Sequence, residues 1–375
     1  MTSFYSKTPL LRRVFASPIL GATPQFLVKY EVFQPSGSFK SRGIGHLIAQ
    51  SAARIESEGN KTAHVFASSG GNAGLAAATA CRAFSLPCTV VVPTTTNLRM
   101  VAKIRQTGAD VIVHGNHWGD AGQYLHCSVM PCIDTTKFEP VYAHPFDNPV
   151  IWEGHSTIVD EIVESLERQR IPASRVKGIV CSIGGGGLYN GIIEGLEKHD
   201  LATTIPIIGV ETKGCEVFHQ SLKAGKPLVF DKITSVATSL GTATICKKTL
   251  ENALKYNTKS VILSNADVVR TCLNFADDIN IVPEPACGAS LHFGYNPHLL
   301  EDTLGGSLGP EDIIIIIACG GSSTTVQDLQ QMQVRLGRPL TTSFTCETTP
   351  VDRKLEPVVN LLAVWTAASE HVHGS

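Results

Sequence analysis

Five consecutive isoleucines, Ile313 to Ile317, restrict the fold of this 375-residue chain more than any other feature. An uninterrupted run of β-branched residues is typical of a strand whose two faces are both covered. Similar short apolar runs, with helix-like stretches between them, occur at residues 64–69, 88–93, 109–115, 178–183 and 205–211. This alternation predicts an α/β protein with mostly parallel sheets and right-handed crossovers.

The alternating pattern occurs in two runs, and the chain is long enough for two domains. We therefore expect two lobes, each an open sheet flanked by helices, with the binding site in the cleft between them. The small lobe should span about residues 36–144, inserted into a large lobe made of residues 1–35 and 145–330. The tail, residues 331–375, carries fewer signals and predicts a peripheral helix with a loose end.

The composition argues against several classes of protein. Hydrophobic residues make up 43% of the chain and charged residues 17%, which predicts a well-buried globular fold. A net charge of −2 without basic or acidic blocks argues against nucleic-acid or membrane-surface partners. The longest apolar runs are too short to cross a bilayer.

The eleven cysteines form no C-x-x-C pair, which favours reduced thiols in a cytosolic enzyme over disulfides or a zinc site. We therefore expect a cytoplasmic protein. A mitochondrial location is the alternative, because Lys7, Arg12 and Arg13 with nearby hydroxyl residues faintly resemble an organelle presequence.

Lys40 is the residue around which a catalytic site can be built. Pro35 and Gly37 break regular structure, and Ser36 or Ser38 can cap a helix, so a helix should begin near Ser38. Lys40 then lies in the first turn, where the helix macrodipole and partial burial lower the pKa of its amine. A neutral lysine suits Schiff-base chemistry. A lone lysine taken by itself is more often a solvated surface residue.

Two glycine-rich segments follow predicted strands and precede predicted helices, where backbone N–H groups lack acceptors. Residues 68–74 would bind a carboxylate with the help of Ser69 and Asn72, or would form only a serine-capped turn. Residues 184–187 are four successive glycines and predict a phosphate site at a helix N-terminus. They match neither the nucleotide P-loop nor the dinucleotide fingerprint.

Two further candidates end predicted strands. Cys319 follows the isoleucine run, at the edge where ligands bind in open α/β folds. A cysteine there is more often a small buried hydrophobe, although the adjacent Gly-Gly turn favours a functional role. Glu211 ends another strand, and a lone acid at such a position is usually only solvated.

Taken together, these motifs resemble those of pyridoxal-phosphate enzymes of the tryptophan-synthase-β fold type. Order and spacing match over roughly the first 335 residues, in segments 36–43, 69–74, 184–187 and 319–322. Within that fold type, residues 34–35, 145–147, 151–155 and 284–289 further resemble the eukaryotic catabolic L-serine/L-threonine dehydratases. Phe39 before Lys40 and Ser41 after it differ from the pattern of sulfhydrylases and cystathionine synthases, which favours elimination over replacement.

The resemblance implies a role for each matching residue. Lys40 would form the Schiff base with pyridoxal phosphate and then act as the base at the substrate α-carbon. Phe39 and Ser239 would flank the cofactor ring, Cys319 would face its ring nitrogen, and Asn72 its phenolic oxygen. The cofactor phosphate would be bound by Gly184, Gly185, Gly186 and Gly187.

The substrate carboxylate would be held by Ser69, Gly70, Asn72 and Ala73. Gly70 occupies a position where relatives vary between small residues, so it would influence rate or substrate choice. A monovalent-cation site, expected to hold K+, would be formed mostly by backbone carbonyls at Gly184, Glu211, Cys215, Leu240 and Thr242.

The activity that the resemblance implies is β-elimination of water from L-serine, with L-threonine as a further substrate. The products would be pyruvate or 2-oxobutanoate and ammonia, so the enzyme would serve amino-acid catabolism and gluconeogenesis. A neutral thiol at the ring nitrogen gives a weaker electron sink than an aspartate, which favours elimination over racemisation. We expect a homodimer, and no allosteric amino-acid site because the tail is too short for a regulatory domain.

Three alternatives stay open. The first is a racemase or sulfhydrylase on the same scaffold, and the second is an inactive homologue that serves as a binding protein. The third, a phosphate-binding sugar enzyme without pyridoxal phosphate, would leave Lys40 unexplained. Serine and threonine are not ranked by the sequence, since one methyl group is worth only about 1–3 kcal/mol in a pocket.

Overall fold

The computed structural model describes residues 4–16 and 24–337, and these residues form ten strands and twelve α-helices. The strands are β1 (Leu10–Arg13), β2 (Gln25–Tyr30), β3 (Thr62–Ala67), β4 (Cys88–Val92), β5 (Asp110–Val113), β6 (Phe138–Tyr142), β7 (Val176–Ser182), β8 (Ile207–Thr212), β9 (Thr258–Leu263) and β10 (Ile313–Ala318). The helices are α1 (Lys40–Glu58), α2 (Asn72–Phe84), α3 (Leu98–Gln106), α4 (Trp118–Tyr124), α5 (Pro149–Arg168), α6 (Gly187–Lys198), α7 (Val217–Ala224), α8 (Lys247–Lys255), α9 (Asn265–Ile279), α10 (Pro285–Tyr295), α11 (His298–Leu304) and α12 (Val326–Arg335). Short 3-10 helices lie at Glu31–Phe33, Met130–Cys132, Ala173–Arg175 and Thr238–Leu240, and a π-helical turn lies at Leu125–Val129.

The larger sheet has the strand order β1-β2-β10-β7-β8-β9. Its strands are parallel except β1, which pairs antiparallel with β2. The isoleucine strand β10 lies in the middle, with Ile314 beside Phe26 on one side and Gly178 on the other. Every residue of β10 is completely buried, as expected for a strand covered on both faces.

The smaller sheet has the order β5-β4-β3-β6, and all its pairings are parallel. The predicted α/β class with parallel sheets is therefore confirmed. All four of these strands fall within residues 36–144, and the strands of the larger sheet fall within residues 1–35 and 145–330. The lobe boundaries themselves stay a prediction. Helix α12 contains the first part of the predicted tail, and residues 338–375 lie outside the described residues.

Helix α5 packs closely against both α1 and α6, and glycines allow this approach. A Cβ atom added to Gly154 of α5 would lie 2.7 Å from the Cα atom of Gly43 in α1. A Cβ atom added to Gly191 of α6 would lie 2.3 Å from the Cβ atom of His155 in α5. Because α1 begins at Lys40 and α6 at a glycine of the 184–187 segment, α5 fixes these two helix starts relative to each other.

A buried ionic network also anchors the start of α1. The fully buried guanidinium of Arg42 contacts Glu31 at 2.7 Å and Glu161 at 2.7 Å. Lys29, also fully buried, contacts the same Glu161 at 2.5 Å. Each charge has an opposite partner, which is the condition under which buried charges are tolerated.

The start of α1 differs from the prediction. The helix begins at Lys40, its N-cap is Phe39, and no side chain caps it, so the prediction of a cap by Ser36 or Ser38 is wrong. Ser36 Oγ lies 2.7 Å from Ser41 Oγ, and Ser38 Oγ is buried without a partner among the described residues. Lys40 nevertheless lies in the first turn.

No helix in residues 4–16 and 24–337 is long and apolar enough to cross a membrane. The ten cysteines in these residues are unpaired thiols, of which only Cys127 and Cys132 are exposed. Cys346 lies outside the described residues.

Candidate active site

The segments that contain Lys40 and Cys319 are joined by a short β-bridge. Ser38 pairs antiparallel with Gly320, and the N–H of Phe39 donates to the carbonyl of Cys319 at 3.0 Å. Ser38 is thus paired one residue before Phe39, the N-cap of α1, and does not itself cap the helix. The bridge brings together two of the predicted site segments from opposite ends of the chain.

The Lys40 amine lies in a partly buried position over the Phe39 ring, 5.0 Å from its centroid. Its Nζ donates a hydrogen bond to the carbonyl of Pro145. Burial lowers the pKa of the Lys40 amine to about 8, and the thiols of Cys246 and Cys319 oppose this shift. A lysine with such a pKa is readily available as a neutral amine, which is the state that attacks carbonyl groups and accepts protons.

The four glycines at 184–187 form a turn between β7 and α6. Gly186 has φ +99°, and a Cβ atom there would lie 1.8 Å from Thr249 Oγ1, so no other residue fits without rearrangement. A Cβ atom at Gly185 would lie 2.4 Å from the ring of Phe146. Within the described residues, no acceptor bonds to the four backbone N–H groups of this turn. Unpaired donors at a helix N-terminus fit a phosphate group.

The second predicted anion site lies at the start of α2. Asn72 and Ala73 are the first residues of this helix, so their N–H groups have no acceptor within it. Ser69 Oγ lies beside them and accepts from the N–H of Gly71 at 3.3 Å. Gly70 lies between these residues, and a Cβ atom there would lie 2.4 Å from Thr96 Oγ1. The arrangement fits a carboxylate, as the sequence predicts.

Glu284 contacts two of the predicted site residues, although the sequence motifs assign it no role. Its carboxylate is 2% exposed and accepts hydrogen bonds from Asn72 Nδ2 at 2.9 Å and Ser239 Oγ at 2.6 Å. It also accepts from the N–H and the hydroxyl of Ser323, both at 2.7 Å. The sequence signal that could have identified it is a single acid just before Pro285, at the start of an otherwise apolar helix.

Cys319 is a neutral thiol at the end of β10. It is 4% exposed, and the neighbouring Cys287 thiol together with burial raises its pKa well above the usual range. A neutral thiol fits the expected contact with a pyridine nitrogen, because it can share a hydrogen bond without transferring a proton. Phe39 packs against the buried His155, with ring centroids 4.9 Å apart.

The five residues predicted for a monovalent cation fall in two groups. A Cβ atom at Gly184 would lie 3.1 Å from the carbonyl oxygen of Leu240, so these two residues meet. Close to Leu240 in the chain, Thr242 Oγ1 is buried without a partner among the described residues. Glu211 is the penultimate residue of β8, and Cys215 lies on the connection from β8 to α7.

Glu211 is completely buried, and its carboxylate accepts from the N–H groups of Phe218 at 2.8 Å and His219 at 2.7 Å. Burial raises the pKa of Glu211 to about 8, and these two donors oppose the shift. No cluster of three or more His, Cys, Asp or Glu side chains that could hold a metal occurs in residues 4–16 and 24–337. A cation here would therefore depend mainly on backbone carbonyls.

The observed residues thus fit pyridoxal phosphate. They provide a lysine with a lowered pKa, a turn of unpaired N–H groups at a helix start, and a neutral thiol. Two surface cavities, of about 440 and 780 Å³, are lined by other residues and include none of the predicted site residues.

The chain is similar to known proteins over most of its length. Residues 1–320 match the family described as "Pyridoxal-phosphate dependent enzyme". The chain is 60% identical to the catabolic L-serine/threonine dehydratase of Saccharomyces cerevisiae over 331 residues, 88% of this chain and 91% of that one. It is 37% identical to the mouse serine dehydratase-like protein, over 89% of this chain and 95% of that one.

Solved structures give the same picture. The L-serine ammonia-lyase of the fungus Rhizomucor miehei superposes with a TM-score of 0.77 at 30% identity, covering 89% of this chain and 99% of that one. Maize serine racemase superposes with a TM-score of 0.71 at 20% identity, covering 89% and 93%. At that identity the likeness to the racemase concerns the fold alone.

Proposed function

This chain belongs to the pyridoxal-phosphate-dependent enzyme family, and from this premise we propose that it removes water from L-serine and, as a further substrate, L-threonine. The enamine that is released then takes up water, which gives pyruvate from serine or 2-oxobutanoate from threonine, together with ammonia. The observation that carries the proposal is the match of 88% of the chain to a catabolic L-serine/threonine dehydratase. The lowered pKa of the partly buried Lys40 amine supports it.

The bound cofactor supplies an electron sink for the bond that breaks at the substrate α-carbon. The residues of this chain hold and orient the reactants. The N–H groups of residues 184–187 would hold the cofactor phosphate, and the neutral Cys319 thiol would share a hydrogen bond with the ring nitrogen. Ser69 and the N–H groups of Asn72 and Ala73 would hold the substrate carboxylate.

Lys40 would move the proton. Its amine, with a pKa of about 8, can accept a proton from the α-carbon and release it again near neutral pH. The Pro145 carbonyl, which already accepts a hydrogen bond from Lys40 Nζ, would stabilise the protonated amine during the reaction.

The test is a combined absorption and product assay on the purified protein. We expect the visible band of lysine-bound pyridoxal phosphate, and pyruvate and ammonia in equal amounts after addition of L-serine. Both signals should vanish in Lys40→Ala and persist in Lys61→Ala, a change at an exposed lysine. Formation of D-serine, or sulfide incorporation into an activated serine, in place of pyruvate would favour the racemase or sulfhydrylase alternatives.

We also propose that K+ binds at Gly184, Glu211, Cys215, Leu240 and Thr242. The support is a completely buried Glu211 carboxyl group without a cationic partner in the described part of the chain, and a buried Thr242 hydroxyl that has no partner there and lies close to Leu240 in the chain. Replacing K+ by tetramethylammonium should lower activity, and K+ should restore it. Equal activity in both ions would refute the site.

A homodimer in the cytoplasm completes the proposal, and the pyruvate formed there would be available for gluconeogenesis. The resemblance supports the dimer, and unpaired thiols, including the exposed Cys127 and Cys132, suit a reducing compartment. Light scattering should give twice the chain mass, and a monomer would reject the dimer. Cell fractionation distinguishes cytoplasm from mitochondria.

A further inference from the structure

Glu284 joins Asn72, which follows a strand of the smaller sheet, to Ser239 and Ser323, which follow strands of the larger sheet. Its Oε1 atom accepts from the N–H and the hydroxyl of Ser323, and its Oε2 atom accepts from Asn72 Nδ2 and Ser239 Oγ. Within residues 4–16 and 24–337, no cationic side chain pairs with it. The buried charge of Glu284 is therefore compensated by these four donors, each of which gives a charge-assisted hydrogen bond.

The amide of Asn72 can face only one way in this network. The N–H of Ser322 donates to Asn72 Oδ1 at 3.0 Å. Because a backbone N–H is always a donor, the atom that faces Ser322 must be the oxygen. The nitrogen Nδ2 then faces Glu284, and only an acceptor can pair with it there. Ser322 and Glu284 together fix the rotation of the Asn72 amide.

We propose that Glu284 is a positioning residue that fixes the Asn72 amide and the Ser239 hydroxyl for catalysis. The inference rests on the proposed function, because Asn72 and Ser239 are the residues expected to meet the cofactor. The contact from Asn72 Nδ2 to Ser239 Oγ, at 3.4 Å, is the longest in the network. The N–H of Asn72 Nδ2 that faces Ser239 is therefore available to an oxygen atom of a ligand. Because Glu284 holds the amide with Nδ2 on this side, that oxygen meets a donor.

The variant Glu284→Gln tests this inference because it preserves shape and replaces one acceptor by an NH2 group. If the NH2 group faces Ser323, it meets a backbone N–H. If it faces Asn72, it meets the Nδ2 group. A flip of the Asn72 amide would relieve this contact but would place Nδ2 against the N–H of Ser322. Both orientations leave two donors facing each other, so an isosteric change should be disruptive.

The double variant Asn72→Asp/Glu284→Gln exchanges donor and acceptor across the contact. The carboxylate introduced at position 72 accepts from the N–H of Ser322 and from the new amide at position 284. The hydroxyl of Ser239 can rotate to accept as well. Every group in the network is then paired again at unchanged net charge.

The measurements are the thermal midpoint of the cofactor-free full-length protein and its dissociation constant for pyridoxal phosphate. Glu284→Gln should lower the midpoint by several degrees and weaken cofactor binding about tenfold. The double variant should regain most of the midpoint, while its affinity stays low because an acceptor now faces the ligand oxygen. Glu56→Gln, at an exposed position of α1, is the matched control and should behave as wild type.

Two results would overturn the inference. One is a Glu284→Gln protein that matches Glu56→Gln in both measurements. The other is a double variant that is no more stable than Glu284→Gln. If Glu284→Gln does not fold, the double variant decides, because it should fold. The midpoint does not depend on catalysis, so a chain that makes no pyruvate would refute the proposed function and leave this test valid.

Discussion

Replacing Lys40 by methionine should make the cofactor-free protein more stable at neutral pH while abolishing its activity. Burial lowers the pKa of this amine from 10.5 to about 8, so the folded state holds the ammonium at a cost. At about 1.4 kcal/mol for each unit of pKa, this cost reaches about 3.4 kcal/mol below pH 8. Methionine has a similar length and carries no charge.

Two effects reduce the gain. The Lys40 side chain keeps partial access to solvent, so about half of the full cost is the realistic value. The hydrogen bond to the Pro145 carbonyl is also lost, which costs about 0.5–1 kcal/mol. We therefore expect Lys40→Met to be more stable than wild type by about 1 kcal/mol at pH 7.

The stability difference between Lys40→Met and wild type should depend on pH. Between pH 8 and 10.5 the unfolded chain binds more protons at Lys40 than the folded chain does, so wild-type stability rises with pH in this window. The advantage of Lys40→Met should shrink through the window and reverse above it, where only the lost hydrogen bond, about 0.5–1 kcal/mol, remains.

Urea unfolding of the cofactor-free proteins at several pH values between 7 and 10.5 measures the difference. Lys61→Met, at an exposed position, should show no such trend and serves as the control. A Lys40→Met variant that is less stable than wild type by the same amount at every pH would refute the reasoning, since the amine would then not be desolvated.

Two further predictions concern glycines of the site. Gly186→Ala should lower the free energy of unfolding by about 1–2 kcal/mol from its positive φ alone, and it should weaken cofactor binding in a titration. Adding Thr249→Ala should recover only the part of the loss that is due to the contact with Thr249. Gly70→Ala should raise the KM for L-serine about tenfold and leave the cofactor band unchanged, because the new methyl group meets Thr96. In steady-state assays, adding Thr96→Ala should return the KM most of the way to the wild-type value. A Gly186→Ala protein with wild-type affinity, or a Gly70→Ala protein with wild-type KM, would contradict the respective argument.

The sequence predicted those parts of the fold whose signal is local. Fully buried strands such as β4 and β10 appear as continuous apolar runs, and their ends agree with the prediction to within one residue. Strands β6 and β9 were not predicted. Strand β6 contains Glu139 and Pro140, and β9 is an edge strand whose residues are mostly half-buried, so neither shows a continuous apolar run.

The candidate site was predictable where a motif carries its own chemistry, as with Lys40 and the glycines at 184–187. Glu284 was not predicted because its role arises from partners distant in the sequence, of which Asn72 is 212 residues away. The cap at Ser38 was predicted wrongly: Phe39 is the N-cap of α1, and Ser38 pairs instead with Gly320, which is distant in the sequence. Long-range pairing of this kind has no sequence signal at either residue alone.

The central position of β10 also determines the order in which the protein can be assembled during synthesis. Strands β2 and β7 flank β10 on its two sides, yet both leave the ribosome long before it. Until residue 318 is translated, the larger sheet lacks its central strand, and the edges of β2 and β7 that pair with β10 stay unpaired. The last strand to be made closes the sheet, and the next two residues, Cys319 and Gly320, then pair with Phe39 and Ser38 beside Lys40, a lysine made almost at the beginning.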